Sequence, residues 1–419
     1  MSVFITGVTG YVGKHLLYTF LKTTERQIVV CIRNKKGNAA RDRFQEEIQG
    51  HPMFQDTVVK SNLKHVSLVE KDVNELQISD LSGCSDIIHC AANVRFTAPL
   101  EELLKENVDG LKRIHSLCEG RRFYHISTCY VHPLKTEGHR SSIPIQPGLE
   151  ADDFICNYAY TKYLAEQYLQ SQPGFIDIIR LSCVGAPLET LPPLRGGAHL
   201  AICEAVARAS IPDLWLPDHF LFSVVPVDSI CKGIIERTKQ NHEGLQIVQY
   251  SAPEHSKTYN LTPESLMKHR KTIDINIWTD LTYSEFCGWM DFFYWFLPTS
   301  CKKIKDVNAV ISYVQSNITF VSDLSLPELE QDEYAKLTID YVERLIEEKP
   351  KKHSLFYNLF ITIYRVVCQV FLIFFGLSLT QIFKYQKETS KNPLLFVSLQ
   401  MYSLCKTFFS YVVPTTVDI

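Results

Sequence analysis

The feature that most constrains this chain is Thr6-Gly7-Val8-Thr9-Gly10-Tyr11-Val12-Gly13. It follows a short apolar run at residues 3–6 and opens a segment, residues 11–22, whose apolar spacing suits a helix. Strand, tight turn and helix in that order give each glycine a separate purpose. Gly7 permits the turn, Gly10 lets backbone N–H groups approach an anion without an intervening Cβ, and Gly13 lets helix pack closely on strand. The helix N-terminus then faces the anion. Three glycines at this spacing also occur in ordinary turns, but a strand before and a helix after favour a dinucleotide pyrophosphate. Cofactor contacts are expected from Thr6, Gly7, Thr9, Gly10, Tyr11, Val12 and Gly13.

Further β-rich runs lie at residues 28–32, 66–69, 87–90, 123–127 and 176–181, each separated from the next by a segment of helical length. This alternation predicts an α/β fold, a Rossmann-type doubly wound parallel sheet with helices on both faces. From about Pro187 onward Pro192-Pro193, Gly196-Gly197 and Pro212 break the pattern into loops and short helices, where a substrate-covering region would sit. A final helix is expected over residues 328–348. The expected organisation is a dinucleotide-binding domain at 1–250 with insertions from about 187, a divergent region at 251–353 and an apolar tail at 354–419. The sequence shows no internal repeat.

Cofactor choice is read after the second strand, where NAD binders place an acid on the ribose hydroxyls. Here Arg33, Lys35 and Lys36 follow Ile32, with Arg41 and Arg43 a little beyond. A 2′-phosphate suits such a site, so NADPH is preferred over NADH, the alternative being a solvated basic loop. Asp72 and Val73 after the third strand are placed at the adenine edge. Ala91 and Ala92 after the fourth leave room where the cofactor would cross. Tyr158 and Lys162 form Y-x-x-x-K, which puts both side chains on one helix face. An ammonium near a phenol favours the phenolate, so the tyrosine is expected to shift toward working pH and pass a proton to or from a substrate oxygen. Lys162 is also expected to hydrogen-bond the nicotinamide ribose. Thr128, at the end of the fifth strand, supplies a hydroxyl that could orient the same oxygen.

On these residues the sequence resembles the extended short-chain dehydrogenase/reductase superfamily, and within it the fatty acyl-CoA reductases and related thioester reductases. The resemblance is carried by the glycine turn, Ile32-Arg33-Asn34-Lys35-Lys36-Gly37, His89-Cys90-Ala91-Ala92-Asn93-Val94-Arg95-Phe96, Ile126-Ser127-Thr128-Cys129-Tyr130, Tyr158-Ala159-Tyr160-Thr161-Lys162 and Val225-Pro226-Val227-Asp228. It spans about residues 1–240. It implies NADPH-dependent reduction of a fatty acyl-CoA thioester, with Tyr158 and Thr128 stabilising or protonating the oxyanion. Release of CoA gives an aldehyde, and a second NADPH would give the fatty alcohol. It also implies that Asn107 helps hold the site. The family usually has proline after the arginine corresponding to Arg180; here Leu181 follows.

Composition narrows the partners. The 419-residue chain carries a formal charge of −3, without the Lys/Arg excess that nucleic acid demands. Thirteen cysteines without a C-x-x-C suggest reduced thiols in an intracellular compartment. The start does not read as a signal peptide, so the sequons at Asn260 and Asn317 are taken as chance matches. His89, Cys90, Cys84 and His132 lack ligand spacing, and no metal is expected. The mean hydropathy of −0.04 hides an apolar tail. Residues 366–383 are uncharged and would form a helix of roughly 27 Å, against a hydrocarbon core of about 30 Å. A second apolar stretch follows at 393–413, broken by Lys406. The tail could lie in a membrane interface or insert as a hairpin, span the bilayer or form a soluble apolar subdomain. Either membrane mode would bring a cytosolic active domain to an organelle or inner-face membrane, where a long-chain acyl substrate partitions. The rival readings are a reductase or dehydrogenase acting on a sterol or other lipid, and a non-catalytic dinucleotide-binding scaffold at membranes.

Overall fold

The computed structural model describes residues 2–133, 142–207, 222–253 and 320–348, apart from Lys36, Thr97 and Gln331, with short pieces between 213 and 305. The tail at 354–419 lies outside the described residues. The chain divides into two compact units. One comprises Met1–Ala207, Phe220–Lys271 and Ser312–Lys349 and contains all the candidate site residues. The other comprises Arg208–His219, Thr272–Ile311 and Pro350–Ile419.

Six strands open the chain: β1 (Ser2–Thr6), β2 (Ile28–Ile32), β3 (Val66–Glu70), β4 (Cys84–His89), β5 (Arg122–Thr128) and β6 (Ile176–Leu181). After them come β7 (Cys183–Gly185), β8 (Asp213–Trp215), β9 (Phe222–Pro226), β10 (Leu245–Tyr250), β11 (Asn260–Leu261) and β12 (Asn276–Trp278). The main sheet has seven strands in the order β10-β6-β5-β4-β1-β2-β3, and each neighbouring pair is parallel. This is the doubly wound sheet expected from the alternation. A second sheet orders β11-β9-β7, and in the other unit β8 pairs with β12.

Burial on both faces explains why the central strands read as continuous apolar runs. In β1, Val3 and Ile5 enter the core that holds Leu16, Phe20 and Ile126, while Phe4 enters the opposite core with Ile87, Leu111 and Phe123. The strand order reverses at β1, and the crevice outside the carboxyl ends of β1 and β4 is where such sheets receive ligands. β4 begins three residues earlier than the apolar run at 87–90 and stops at His89. Its first residues pair with Ser2 and Val3, whereas the backbone beyond His89 turns across the glycine loop.

Charges buried within the sheet fix helices to strands. Glu166, on the helix Asn157–Gln170, meets Arg180 on β6 at 2.6 Å, and both side chains are fully buried. Arg180 Nε reaches both carboxylate oxygens, and Ser127 on β5 donates to Glu166 at 2.5 Å. Removing one partner of such a pair leaves an uncompensated buried charge, which costs about 3–5 kcal/mol. Glu166→Ala should therefore lower the unfolding free energy in urea by about that amount. A loss below about 1 kcal/mol would show that the pair does not hold the helix to the sheet.

Candidate active site

Two absent Cβ atoms shape the glycine turn. Gly7 has a φ of 75°, which favours glycine, and a Cβ there would lie 2.6 Å from the Ala91 nitrogen. A Cβ on Gly13 would lie 2.2 Å from the Gly7 carbonyl oxygen. The first clash would push the loop after β4 off the turn, and the second would lift the helix off β1. The Gly10 N–H donates to the Gly7 carbonyl at 2.9 Å and closes the turn. As N-cap of the helix Tyr11–Thr23, Gly10 supplies no capping side chain, and the first turn contains no acid. Its N–H groups are left to an anion, so the residues present fit a dinucleotide pyrophosphate.

A cleft of about 360 Å³ gathers Gly7, Thr9, Gly10, Arg33, Asp72, Val73, Ala91 and Ala92 from beyond the ends of β1, β2, β3 and β4, and Arg43 from the helix Ala40–Phe44. Lys36 lies outside the described residues. Thr6 is fully buried; its hydroxyl sits 2.9 Å from His89 Nδ1 and accepts from the Ala91 N–H at 3.1 Å. It ties the ends of β1 and β4 together. Val12 packs against the core below, and the Tyr11 hydroxyl donates to the Gly185 carbonyl at 2.9 Å. The cleft also includes Asn93 and Glu106, which no turn or spacing signal in the sequence assigns to it.

The two arginines act differently. Arg33 remains 44% exposed and pairs with Asp72 at 3.0 Å and Glu106 at 3.4 Å. Arg43 is nearly buried, donating to Thr9 Oγ1 at 3.1 Å, to the Arg33 carbonyl at 2.7 Å and to Glu47 at 2.9 Å. It fastens the glycine turn to the end of β2. Asp72 caps the turn Val73–Glu75. Burial opposes its charge, but the Asn74 N–H and the Arg33 guanidinium outweigh burial and hold the carboxyl below its usual range.

The helix Asn157–Gln170 carries Tyr158 and Lys162 over the end of β5. Lys162 is buried, and its Nζ donates to the Ile126 carbonyl at 2.6 Å. Burial lowers this ammonium to about 8 against the opposing pull of Cys90 and Glu166. Tyr158 is partly buried, its ring edge-on to Phe96 at 5.7 Å. Burial raises its phenol, and Cys156 and Cys90 raise it further. That direction is opposite to the shift expected from the Y-x-x-x-K spacing, because burial dominates. The phenol therefore holds its proton, as an acid must. Thr128 is buried; its hydroxyl accepts from the Tyr130 N–H at 3.2 Å and donates to the Leu181 carbonyl at 3.3 Å. Ser127, one residue earlier, is engaged by Glu166.

Asn107 links these parts. It lies in a π-helical turn, Leu104–Asp109, accepts from the Asn93 N–H at 2.7 Å and donates to the Asn93 carbonyl at 3.0 Å and Thr161 Oγ1 at 3.1 Å. The loop after β4 and the Tyr158 helix are thereby held at one level. Among the described residues no three His, Cys, Asp or Glu side chains group as metal ligands would.

The sequence model of the family described as Male sterility protein, an NAD-binding domain, matches residues 5–234. The chain belongs to that family. Its relatives include fatty acyl-CoA reductase 1 from Homo sapiens, 25% identical over 278 residues, covering 55% of this chain and 52% of that one. Fatty acyl-CoA reductase 2 from Mus musculus is 27% identical over 274 residues, with the same coverage of 55% and 52%. The chain thus spans about half the length of these curated relatives. In fold, it matches the terminal R domain from the myxalamid PKS-NRPS pathway with a TM-score of 0.64 and 16% identity, covering 84% of this chain and 92% of that one. It also matches the UDP-glucuronic acid 4-epimerase from Bacillus cereus in complex with NAD, with a TM-score of 0.55 and 16% identity, covering 82% and 99%. The likeness to fatty acyl-CoA reductases read from the motifs is borne out by the family match and these relatives, and residues 5–234 form an NAD-binding domain of that family.

If the charged Lys162 supports turnover, the sign of its pH dependence follows from its lowered pKa. The ammonium is present below about 8 and lost above it. The pH profile of kcat/KM, which reports the free enzyme, should fall on the alkaline side near pH 8. Lys162→Arg should move that limb upward; an unmoved limb would assign it to another group.

Proposed function

We propose that the chain reduces a fatty acyl-CoA thioester with NADPH, releasing CoA and a fatty aldehyde, and carries the aldehyde to the fatty alcohol with a second NADPH. The observation that carries this reading is the glycine cradle at the ends of β1 and β4 beside a helix bearing Tyr158 and Lys162. Its kinship with fatty acyl-CoA reductases supplies the substrate class. Bound NADPH would supply the hydride to the thioester carbonyl carbon. Tyr158, kept protonated by burial, donates to the oxygen as it gains charge. Thr128 offers that oxygen a second hydroxyl by giving up its bond to the Leu181 carbonyl, and Lys162 places positive charge beside it. As the C–S bond breaks, the carbonyl re-forms by returning its proton to the Tyr158 phenolate, and CoA leaves as a thiolate that takes a proton from solvent. Arg33, half-exposed at the end of β2, is assigned to the 2′-phosphate, exchanging Asp72 and Glu106 for it.

The substrate is delivered at a membrane, with the active unit on the cytosolic side of an organelle or inner-face membrane. The apolar stretches at 366–383 and 393–413 support this assignment. Among the described residues no helix is long and apolar enough to cross a membrane.

Tyr158→Phe should reduce turnover of palmitoyl-CoA by about 100-fold or more and leave NADPH affinity nearly intact. Unchanged turnover would remove Tyr158 from the chemistry. Arg33→Ala should weaken NADPH much more than NADH in binding titrations, and equal losses would contradict a phosphate contact.

A further inference from the structure

The segment from β7 to the helix Ala198–Ala207 lies against the glycine turn and is held there by groups distant in sequence. A Cβ on Gly196 would lie 2.3 Å from Tyr11 Cβ, so this segment presses on the residue that begins the turn's helix. Tyr11 in turn donates to the Gly185 carbonyl. The helix Glu333–Glu348 fastens the stretch between these two contacts. The Tyr334 hydroxyl donates to the Ala186 carbonyl at 2.8 Å. The Tyr341 hydroxyl accepts from the Leu194 N–H at 2.6 Å and lies 3.3 Å from the Leu194 carbonyl. Arg344 adds a bond to the Leu191 carbonyl at 3.1 Å. Both tyrosines are fully buried, and both lie near enough to Tyr11 to raise its phenol further after burial has done so. Asp228 holds the same segment from another side, accepting from the Leu188 and Glu189 N–H groups at 3.0 and 3.1 Å.

Polar backbone in a segment without regular structure needs partners when buried. Here Tyr334, Tyr341 and Arg344 supply them from one helix, and the resulting clasp runs through Tyr11 to the first turn whose N–H groups face the anion. We propose that Tyr334 and Tyr341 are positioning residues of the dinucleotide site. By clamping residues 186–197 they hold Tyr11 and the glycine turn in the geometry that receives the pyrophosphate, so cofactor affinity depends on the Glu333–Glu348 helix. This rests on reading the glycine turn as a dinucleotide site.

The test uses the full chain with Tyr334→Phe, Tyr341→Phe and the double variant. NADPH dissociation constants are measured by fluorescence titration alongside kcat and KM for NADPH. Loss of the clasp should weaken NADPH about tenfold in the double variant, the equivalent of roughly one hydrogen bond. The rise in Kd and KM should exceed any fall in kcat. A merely structural role would lower the active fraction, and with it kcat, while leaving Kd unchanged; that result overturns the proposal. Should the double variant not fold, Arg344→Ala on the partly exposed side of the same helix serves instead. It should raise Kd about threefold, and an unchanged Kd would again count against the clasp. Failure of the wild-type chain to bind NADPH would reject the reading of the turn itself. Faster hydrogen exchange at the Leu194 amide in Tyr341→Phe reports release of the clasp without cofactor, so the two failures are distinguishable.

Discussion

The site depends on backbone meeting backbone where β1 ends. With no Cβ on Gly7, the chain leaving β4 can cross at van der Waals distance, and with none on Gly13 the first helix can sit on the turn. Thr6 and Ala91 complete that junction with a partly buried hydrogen bond. Everything proposed for the cofactor follows from it. The helix N-terminus is aimed at the crevice where the strand order reverses, and the ends of β2, β3 and β4 bring Arg33, Asp72 and Ala91 to the same rim. A single added methyl at Gly7 or Gly13 would require main chain to move, not a side chain to rotate.

The rest of the site is held by charge and hydrogen bonding placed out of water. Glu166 and Arg180 fix the Tyr158 helix against β6 from below, while Asn107 fixes its first turns to the loop after β4. Lys162 spends one N–H on the Ile126 carbonyl, so its ammonium is located by β5 and weakened by burial at once. Burial that makes Lys162 a weaker base than usual also keeps Tyr158 protonated. Both shifts suit a site that gives a proton to a nascent oxyanion.

What was legible in the sequence was local. The glycine turn, the strand runs and the Tyr158–Lys162 spacing each depend on residues a few positions apart, so periodicity and turn chemistry expose them. What was not legible depends on pairings across the fold. Arg33 finds Asp72 and Glu106, 39 and 73 positions away, and nothing in the basic loop announces those partners. Arg43 reads as one more cation for the 2′-phosphate, yet it is nearly buried and fastened to Thr9. The upward direction of the Tyr158 shift is not legible because helix spacing gives the neighbour and not the burial. Tyr334 and Tyr341 act on carbonyl and amide groups nearly 150 positions away, where no sequence motif could signal them. Asp228 was legible only as part of a motif, and its contact with the 188–189 backbone gives that motif a physical reason.

The signature of a thioester reduction is the coupling of cofactor oxidation to thiol release. The most direct measurement is free CoA thiol released against NADPH oxidised by the full chain with palmitoyl-CoA, with products analysed by mass spectrometry. Thiol release should require NADPH, with two NADPH oxidised for each CoA released and fatty alcohol as the product. NADPH oxidation without thiol release, or no turnover of acyl-CoA alongside oxidation of a sterol, would contradict it.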